Sequence, residues 1–154
     1  MNTLDALHSF IVKAKAATYV GDGKKLLSYR PGSIDLQFHD GAFVYMDSYF
    51  GGTDFIGQEV VYFEGEPCWA MNYYGYILLP NLIQAAEAGH IIKVSLSALY
   101  KEGRFLGGFE YAVDDSIYTD TNEGNVSHFT GKEWITRQGK KGYELIYHGG
   151  LIKP

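Results

Sequence analysis

Two glutamates stand out by their setting. Glu59 closes the stretch FIGQE (55–59) and Glu133 closes FTGKE (129–133), so Phe-x-Gly-x-Glu occurs twice in one chain. Side chains alternate along a strand, so in each copy the Phe, the Gly and the Glu share one face. A carboxylate among apolar neighbours is costly to bury unless it is hydrogen-bonded or paired. Two roles are open to such a pair. Each glutamate can accept bonds from a tyrosine hydroxyl or from N–H groups freed at a bulge beside its glycine. Removing Glu59 would then cost about 1–3 kcal/mol. Alternatively, the acids line a cavity and serve a cationic ligand or general acid–base chemistry. Asp47, in DSYFGG (47–52), adds a carboxylate beside a flexible turn, where aspartate more often caps the turn. Asp47, Glu59 and His148 would form an acid–base set, but His148 has the opposite strand parity to Tyr147 and is expected to face away.

Other chemistry is thinly represented. His8, His39, His90, His128 and His148 show no metal-ligand spacing and Cys68 has no cysteine partner, so no metal is expected. No nucleophile elbow, phosphate-binding loop or dinucleotide fingerprint occurs, and GGFEYA (107–112) lacks the third glycine of the last. No cofactor is expected.

The elements that must position these residues also repeat. A shift of 74 residues places Phe55 on Phe129, Gly57 on Gly131, Glu59 on Glu133 and Gly65 on Gly139. It continues with Trp69 on Tyr143, Tyr73 on Tyr147 and Gly75 on Gly149. Upstream, with one inserted residue, YMDSYFG (45–51) answers YTDTNEG (118–124). Self-similarity of this kind decides the architecture. All seven pairs of the main alignment are odd-numbered in both copies, so they share the face expected to be interior. The candidate ligand-binding residues are therefore Glu59, Glu133, Trp69, Tyr73, Tyr143, Tyr147 and Asp47.

Each half opens with a helix. Asn2 or Thr3 caps the first, whose stripe of Leu4, Leu7, Phe10, Ile11, Ala14 and Ala17 runs to Gly21. Asn81 after Pro80 caps the second, which runs from Leu82 to Leu99 with a break at Gly89. Strand patterns follow: SIDLQF, AFVYMDSY, EVVYF and CWAMNYYGYI, then GGFEYAV, SIYTDT, EWITR and YELIYHGGLI. The expected fold is α+β, with two pseudo-symmetric α-β-β-β-β repeats (about 1–79 and 80–154) sharing one core in a single domain, 1–154.

Bulk properties narrow the function classes. A chain of 154 residues buries about 70% of its unfolded surface as one domain. The net charge of −5, with basic residues clustered only at GKK (23–25) and GKKGY (139–143), both read as turns, argues against direct nucleic-acid binding. No membrane span or signal peptide is read from the pattern, and the single cysteine suits a reducing, cytoplasmic setting. Thirteen Tyr, nine Phe and two Trp are many; they fit either cross-strand filling or an aromatic-walled cavity.

The combination DSYFGG…F-x-GQEVV…W-x-MNYYG with F-x-G-x-E-x-I…YEL-x-YHGG-x-I resembles the bacterial family known as domain of unknown function 5680, from AKAATYV (14–20) to HGGLIK (148–153). RFLGG (104–108) departs from the family pattern, in which Arg and Gly are adjacent. The resemblance implies a cytoplasmic bacterial protein, stand-alone or partnered with helix-turn-helix regulators, and no specific activity. The leading expectation is a small-molecule binding or sensing domain for cationic or aromatic ligands, which duplicated α+β effector domains support by layout alone. The alternatives are a small hydrolase or lyase with Glu59 as general acid or base, and a protein-interaction domain using Tyr62, Tyr74 and Tyr76. A homodimer or an associated helix-turn-helix regulator completes the partner expectations.

Overall fold

A computed structural model describes residues 3–20 and 24–154. Asn2 as a cap and Gly21 as a helix end lie outside the described residues. Thr3 fills the capping role, its Oγ1 accepting from the Ala6 N–H at 3.2 Å. Helix α1 (Leu4–Lys15) buries Leu7, Phe10, Ile11 and Ala14, the i, i+3, i+4, i+7 stripe of an amphipathic helix. Leu4, in its first turn, stays exposed. Directly after Lys15 the chain widens into a π-helical turn, Ala16–Val20, a conformation frequent at functional sites.

Strands β1 (Lys24–Leu26), β2 (Ile34–Asp40), β3 (Phe43–Gly51), β4 (Phe55–Phe63) and β5 (Glu66–Ile77) form one antiparallel meander. After helix α2 (Ala85–Lys101), strands β6 (Phe109–Val113), β7 (Ser116–Asn125), β8 (His128–Arg137) and β9 (Lys140–Leu151) form another. The two join into one nine-stranded antiparallel sheet, ordered β1-β2-β3-β4-β5-β9-β8-β7-β6. The architecture is therefore α+β, with β5 and β9 forming the central seam. Among the described residues, no helix is long and apolar enough to cross a membrane.

Three sequence expectations change. Helix α2 starts at Ala85, not after Asn81, because the Leu82 and Ile83 N–H groups both return to the Leu79 carbonyl and close a tight turn first. Ile83 then packs into the space left by the missing side chain of Gly142. Gly89 causes no break; it lies within α2, facing open space. Lys24 and Lys25 of the GKK run enter edge strand β1 rather than a turn, because with Leu26 they occupy the free backbone groups of β2, and lysines suit an edge. Of GKKGY only Gly139 is in a turn, since residues 140–143 open β9.

The register repeats across the seam. Asp47 pairs with Glu59 on β3 and β4, as Asp120 pairs with Glu133 on β7 and β8. Gly57 pairs with Tyr73, as Gly131 pairs with Tyr147, and the two tyrosines face each other across β5 and β9. Bulges follow Val61 and Ile135. The two-residue turns after them, Glu64–Gly65 and Gln138–Gly139, take positive φ at both positions (51° and 86°; 52° and 71°), the geometry whose twist suits a hairpin. The inserted residue lies in the β7–β8 tip: Gly51 pairs with Phe55, but Gly124 with Phe129.

Both helices cover one face of the sheet, α1 over β2 and β3, α2 over β6 and β7. Odd-numbered residues of β3, β4, β5, β8 and β9 fill that interface, joined by the even-numbered Ser116, Tyr118 and Asp120 of β7, where the inserted residue reverses the parity. Trp69, Tyr45, Tyr118, Tyr143 and Phe129 are all essentially solvent-free, and burial of each such side chain contributes roughly 1.5–3 kcal/mol. The opposite face is open, with Ile56, Tyr74 and Ile146 exposed.

Candidate functional site

The covered face contains more than filler. Four carboxylates, Asp47, Glu59, Asp120 and Glu133, are buried there, all less than 10% exposed. Each is met by tyrosine. Tyr45 donates to Glu59 Oε1 at 2.5 Å, and Tyr118 donates to Glu133 Oε2. Tyr143 donates to Glu133 Oε1 at 3.0 Å. Tyr73 donates to Asp47 Oδ1 at 2.7 Å and Tyr147 to Asp120 Oδ1 at 2.6 Å.

The repeated glycine explains these last two bonds. Tyr73 on β5 spans β4 to reach Asp47 on β3, and it crosses at Gly57, where any Cβ would collide with its ring. Tyr147 crosses β8 at Gly131 toward Asp120 on β7 in the same way. In the Phe-x-Gly-x-Glu motif, then, the glycine is the bed for a tyrosine and the glutamate is a buried acceptor beside it.

Lys15 supplies the cation. Its ammonium lies 2.8 and 3.1 Å from the two Glu59 carboxylate oxygens, 3.7 Å from Met71 Sδ and 5.4 Å from the Phe105 ring centroid. It is the one buried ammonium among the described residues, set against four carboxylates. The imbalance appears in their proton affinities. Burial, then the Glu59 charge, pushes Asp47 up to about 8, against the pull of Tyr73 and Lys15. Burial, then Asp120, raises Glu133 to about 7. Burial raises Asp120 to about 6, opposed by its bonds from Tyr147 and Asn122. Burial and the adjacent carboxylates hold Tyr45, Tyr118, Tyr143 and Tyr147 above the ordinary phenol range, so they remain donors.

A cavity of about 70 Å³ opens between α2 and the sheet. Its polar lining is Lys15, Tyr73, Tyr100, Asp120, Glu133, Tyr143 and Tyr147; Phe55, Met71, Ile92, Leu96, Phe105 and Leu145 complete it. Of the residues expected from sequence, Glu133, Tyr73, Tyr143 and Tyr147 come together at this wall. Glu59 is set back, fully buried behind its ion pair. Asp47 borders a neighbouring groove with Thr18, Leu36, Phe55 and Tyr73. Trp69 is not in the lining: Phe105 and Phe129 cover its indole, and its Nε1 donates to the Val126 carbonyl at 3.0 Å. His148 is exposed on the other face. There too, Tyr74 stacks on Tyr76 with centroids 5.5 Å apart, and Tyr62 is half-buried. Among the described residues, no group of three or more His, Cys, Asp or Glu is placed to hold a metal ion.

Lys15, Tyr45, Tyr100, Tyr118 and Asp120 are site residues that sequence reasoning passed over. The signals existed. Tyr45–Tyr118 and Asp47–Asp120 are matches within the YMDSYFG and YTDTNEG alignment, and Lys15 lies four residues beyond Ile11 on the apolar face of α1. Arg104, in the departing RFLGG run, donates to the carbonyls of Leu106 (2.7 Å) and Gly108 (2.8 Å) and so braces the loop that carries Phe105.

Fold and site together define a class: a single-sheet α+β domain with a cavity walled by carboxylates and tyrosines beneath its second helix. The chain belongs to the family described as Domain of unknown function (DUF5680), whose model matches residues 47–152. That span starts later than the resemblance read from sequence; it includes Asp47, Glu59, Asp120 and Glu133 and leaves Lys15 outside. No curated protein matches the chain, and neither does any solved structure.

Proposed function

We propose that this protein is a binding or sensing domain for a small cationic ligand held in the cavity under α2. The observation that carries the reading is that Asp120 and Glu133 line the cavity, yet neither has an ion pair among the described residues. Negative charge in a partly dry site attracts cations strongly, and the rings of Phe105 and Tyr100 add an attraction of roughly 0.5–2 kcal/mol for a cation over a face. The matching registers support an internal duplication in which the two halves built equivalent acid–tyrosine pairs. A bacterial, cytoplasmic setting is proposed, in which an associated helix-turn-helix regulator or a second copy reads the ligand state.

The test is a thermal-shift screen of cationic, neutral and anionic small molecules. A ligand at about 100 times its Kd stabilises the native state by roughly 2.7 kcal/mol. Cations should dominate the hits, and Glu133→Gln should remove them selectively. Hits confined to anions, or unchanged by that substitution, would refute the reading.

Acid–base catalysis is the second reading, favoured by the near-neutral proton affinities of Glu133 and Asp120. On this geometry it would use those two residues rather than Glu59, which Lys15 and Tyr45 engage.

A further inference from the structure

The first half of the molecule already holds a primary ammonium. Lys15 places its –NH₃⁺ on Glu59, whose Oε1 also accepts from Tyr45. Across the seam, Glu133 and Tyr118 hold the corresponding register positions, with Asp120 paired to Glu133 as Asp47 is to Glu59. There the carboxylates border the cavity, whose lining includes Lys15, without an ion pair to a lysine among the described residues.

Two polar groups at that wall have spare capacity. Tyr100, 7% exposed and lining the cavity, makes no side-chain hydrogen bond among the described residues. Asp120, 5% exposed, accepts from Tyr147 and Asn122 on Oδ1 and is also drawn by the Tyr118 hydroxyl, which still leaves its carboxylate room for a further donor. Each Glu133 oxygen accepts one tyrosine bond, and a carboxylate oxygen has room for a second. The Tyr100 hydroxyl keeps some accessible surface, since the sealed side-chain atoms without a partner among the described residues are Asp35 Oδ1 and Ser95 Oγ, and it thus offers the cavity an unused donor and acceptor.

The geometry points to a protonated primary amine as the cavity's ligand, its ammonium held by Asp120, Glu133 and Tyr100 while Ile92, Leu96 and Leu145 enclose a short alkyl group. This deepens the ligand-binding reading and rests on it. An –NH₃⁺ group has three donors for three acceptors, whereas a quaternary ammonium has none. The cavity of about 70 Å³ holds only a few water-sized groups, which suits a short chain. The Lys15 charge at the cavity edge opposes a second cation, but Asp47, Asp120 and Glu133 outnumber it.

Calorimetric titration of the full chain near pH 8 decides the matter, with n-propylammonium, tetramethylammonium and 1-propanol as probes. Propylammonium should bind, tetramethylammonium should bind at least about tenfold more weakly, as expected for lost charged hydrogen bonds, and propanol should not bind. Putrescine and Nα-acetyl-lysine amide, run beside them, assign the source of the ammonium as a free diamine or a peptide lysine by their ranking. Tyr100→Phe, which removes an oxygen the protein itself does not use, should weaken propylammonium several-fold without lowering the melting temperature. If tetramethylammonium binds as well as propylammonium, or if Tyr100→Phe leaves the affinity unchanged, the primary-amine assignment is overturned while cation binding stands. If no cation binds, both fall.

Discussion

Lys15 Nζ lies 2.8 Å from Oε1 and 3.1 Å from Oε2 of Glu59, joining the end of α1 to the middle of β4 through two groups shut away from solvent. A charge buried with its partner is tolerable; a charge left behind is not. Lys15→Met should therefore cost about 3–5 kcal/mol, read as a shift in the urea midpoint at constant slope. Glu59→Ala should cost a similar amount, above the 1–3 kcal/mol expected from lost hydrogen bonds alone. The double variant Lys15→Met, Glu59→Gln should be more stable than Lys15→Met, since no bare charge remains. A double variant no better than the single one would contradict this account.

Stability should fall as pH rises. Asp47 (about 8), Glu133 (about 7) and Asp120 (about 6) bind protons more tightly when folded than in the unfolded chain, where carboxyl groups titrate near about 4. Their contribution is fully present below the unfolded value and is lost as pH climbs through the folded values. Asp35 and Glu144, held below the ordinary carboxylate range, act the opposite way, but only under more acidic conditions. Melting temperature should thus decline from about pH 5 to about pH 8, and Asp47→Asn should flatten the decline. A melting temperature that rises over this interval would rule out the proton-holding cluster.

Gly57→Ala and Gly131→Ala each put a methyl group where a tyrosine ring lies. Overpacking of this kind costs typically about 1–3 kcal/mol, and here it also lifts Tyr73 off Asp47 or Tyr147 off Asp120. The tyrosine ultraviolet difference spectrum should report the broken bond alongside the stability loss. Wild-type stability with an unchanged spectrum would show that the glycines do not seat the rings.

The buried face was readable in sequence because side chains alternate along strands: odd parity from Phe55 to Gly75 and from Phe129 to Gly149 forecasts the buried side of β4, β5, β8 and β9. The meanders were readable from glycine turns such as Glu64–Gly65. Lys15 was missed because a lysine in a last helical turn ordinarily complements the helix dipole, and nothing local marks one that turns inward. The place of Trp69 outside the cavity lining is not legible for a different reason. Parity assigns a face, but not a depth across the sheet, and the loop residue Phe105 that seals it belongs to neither repeat motif. Pro80–Asn81 is a valid helix start signal, but the Ile83–Gly142 contact that delays α2 is long-range.

Gly89→Ala should stabilise the protein by roughly 0.5–1 kcal/mol, because an interior helix glycine carries an entropic cost that alanine avoids. The added methyl group meets nothing within 4 Å. Equilibrium denaturation would read the gain; a loss would mean that the position serves something other than the helix.

The seam between β5 and β9 also sets a clock. Every other strand on which a cavity carboxylate stands lies one or two places from it, and the short strands β1 and β6 close the outer edges. Amides of β5 and β9 have neighbours on both sides, so deuterium reaches them only when the whole sheet opens, whereas edge strands can fray separately. The acids lie between these two regimes. Motion that admits a solute beneath α2 can therefore proceed from the rim while the midline remains protonated, and isotope uptake along the chain would chart how far inward that motion travels.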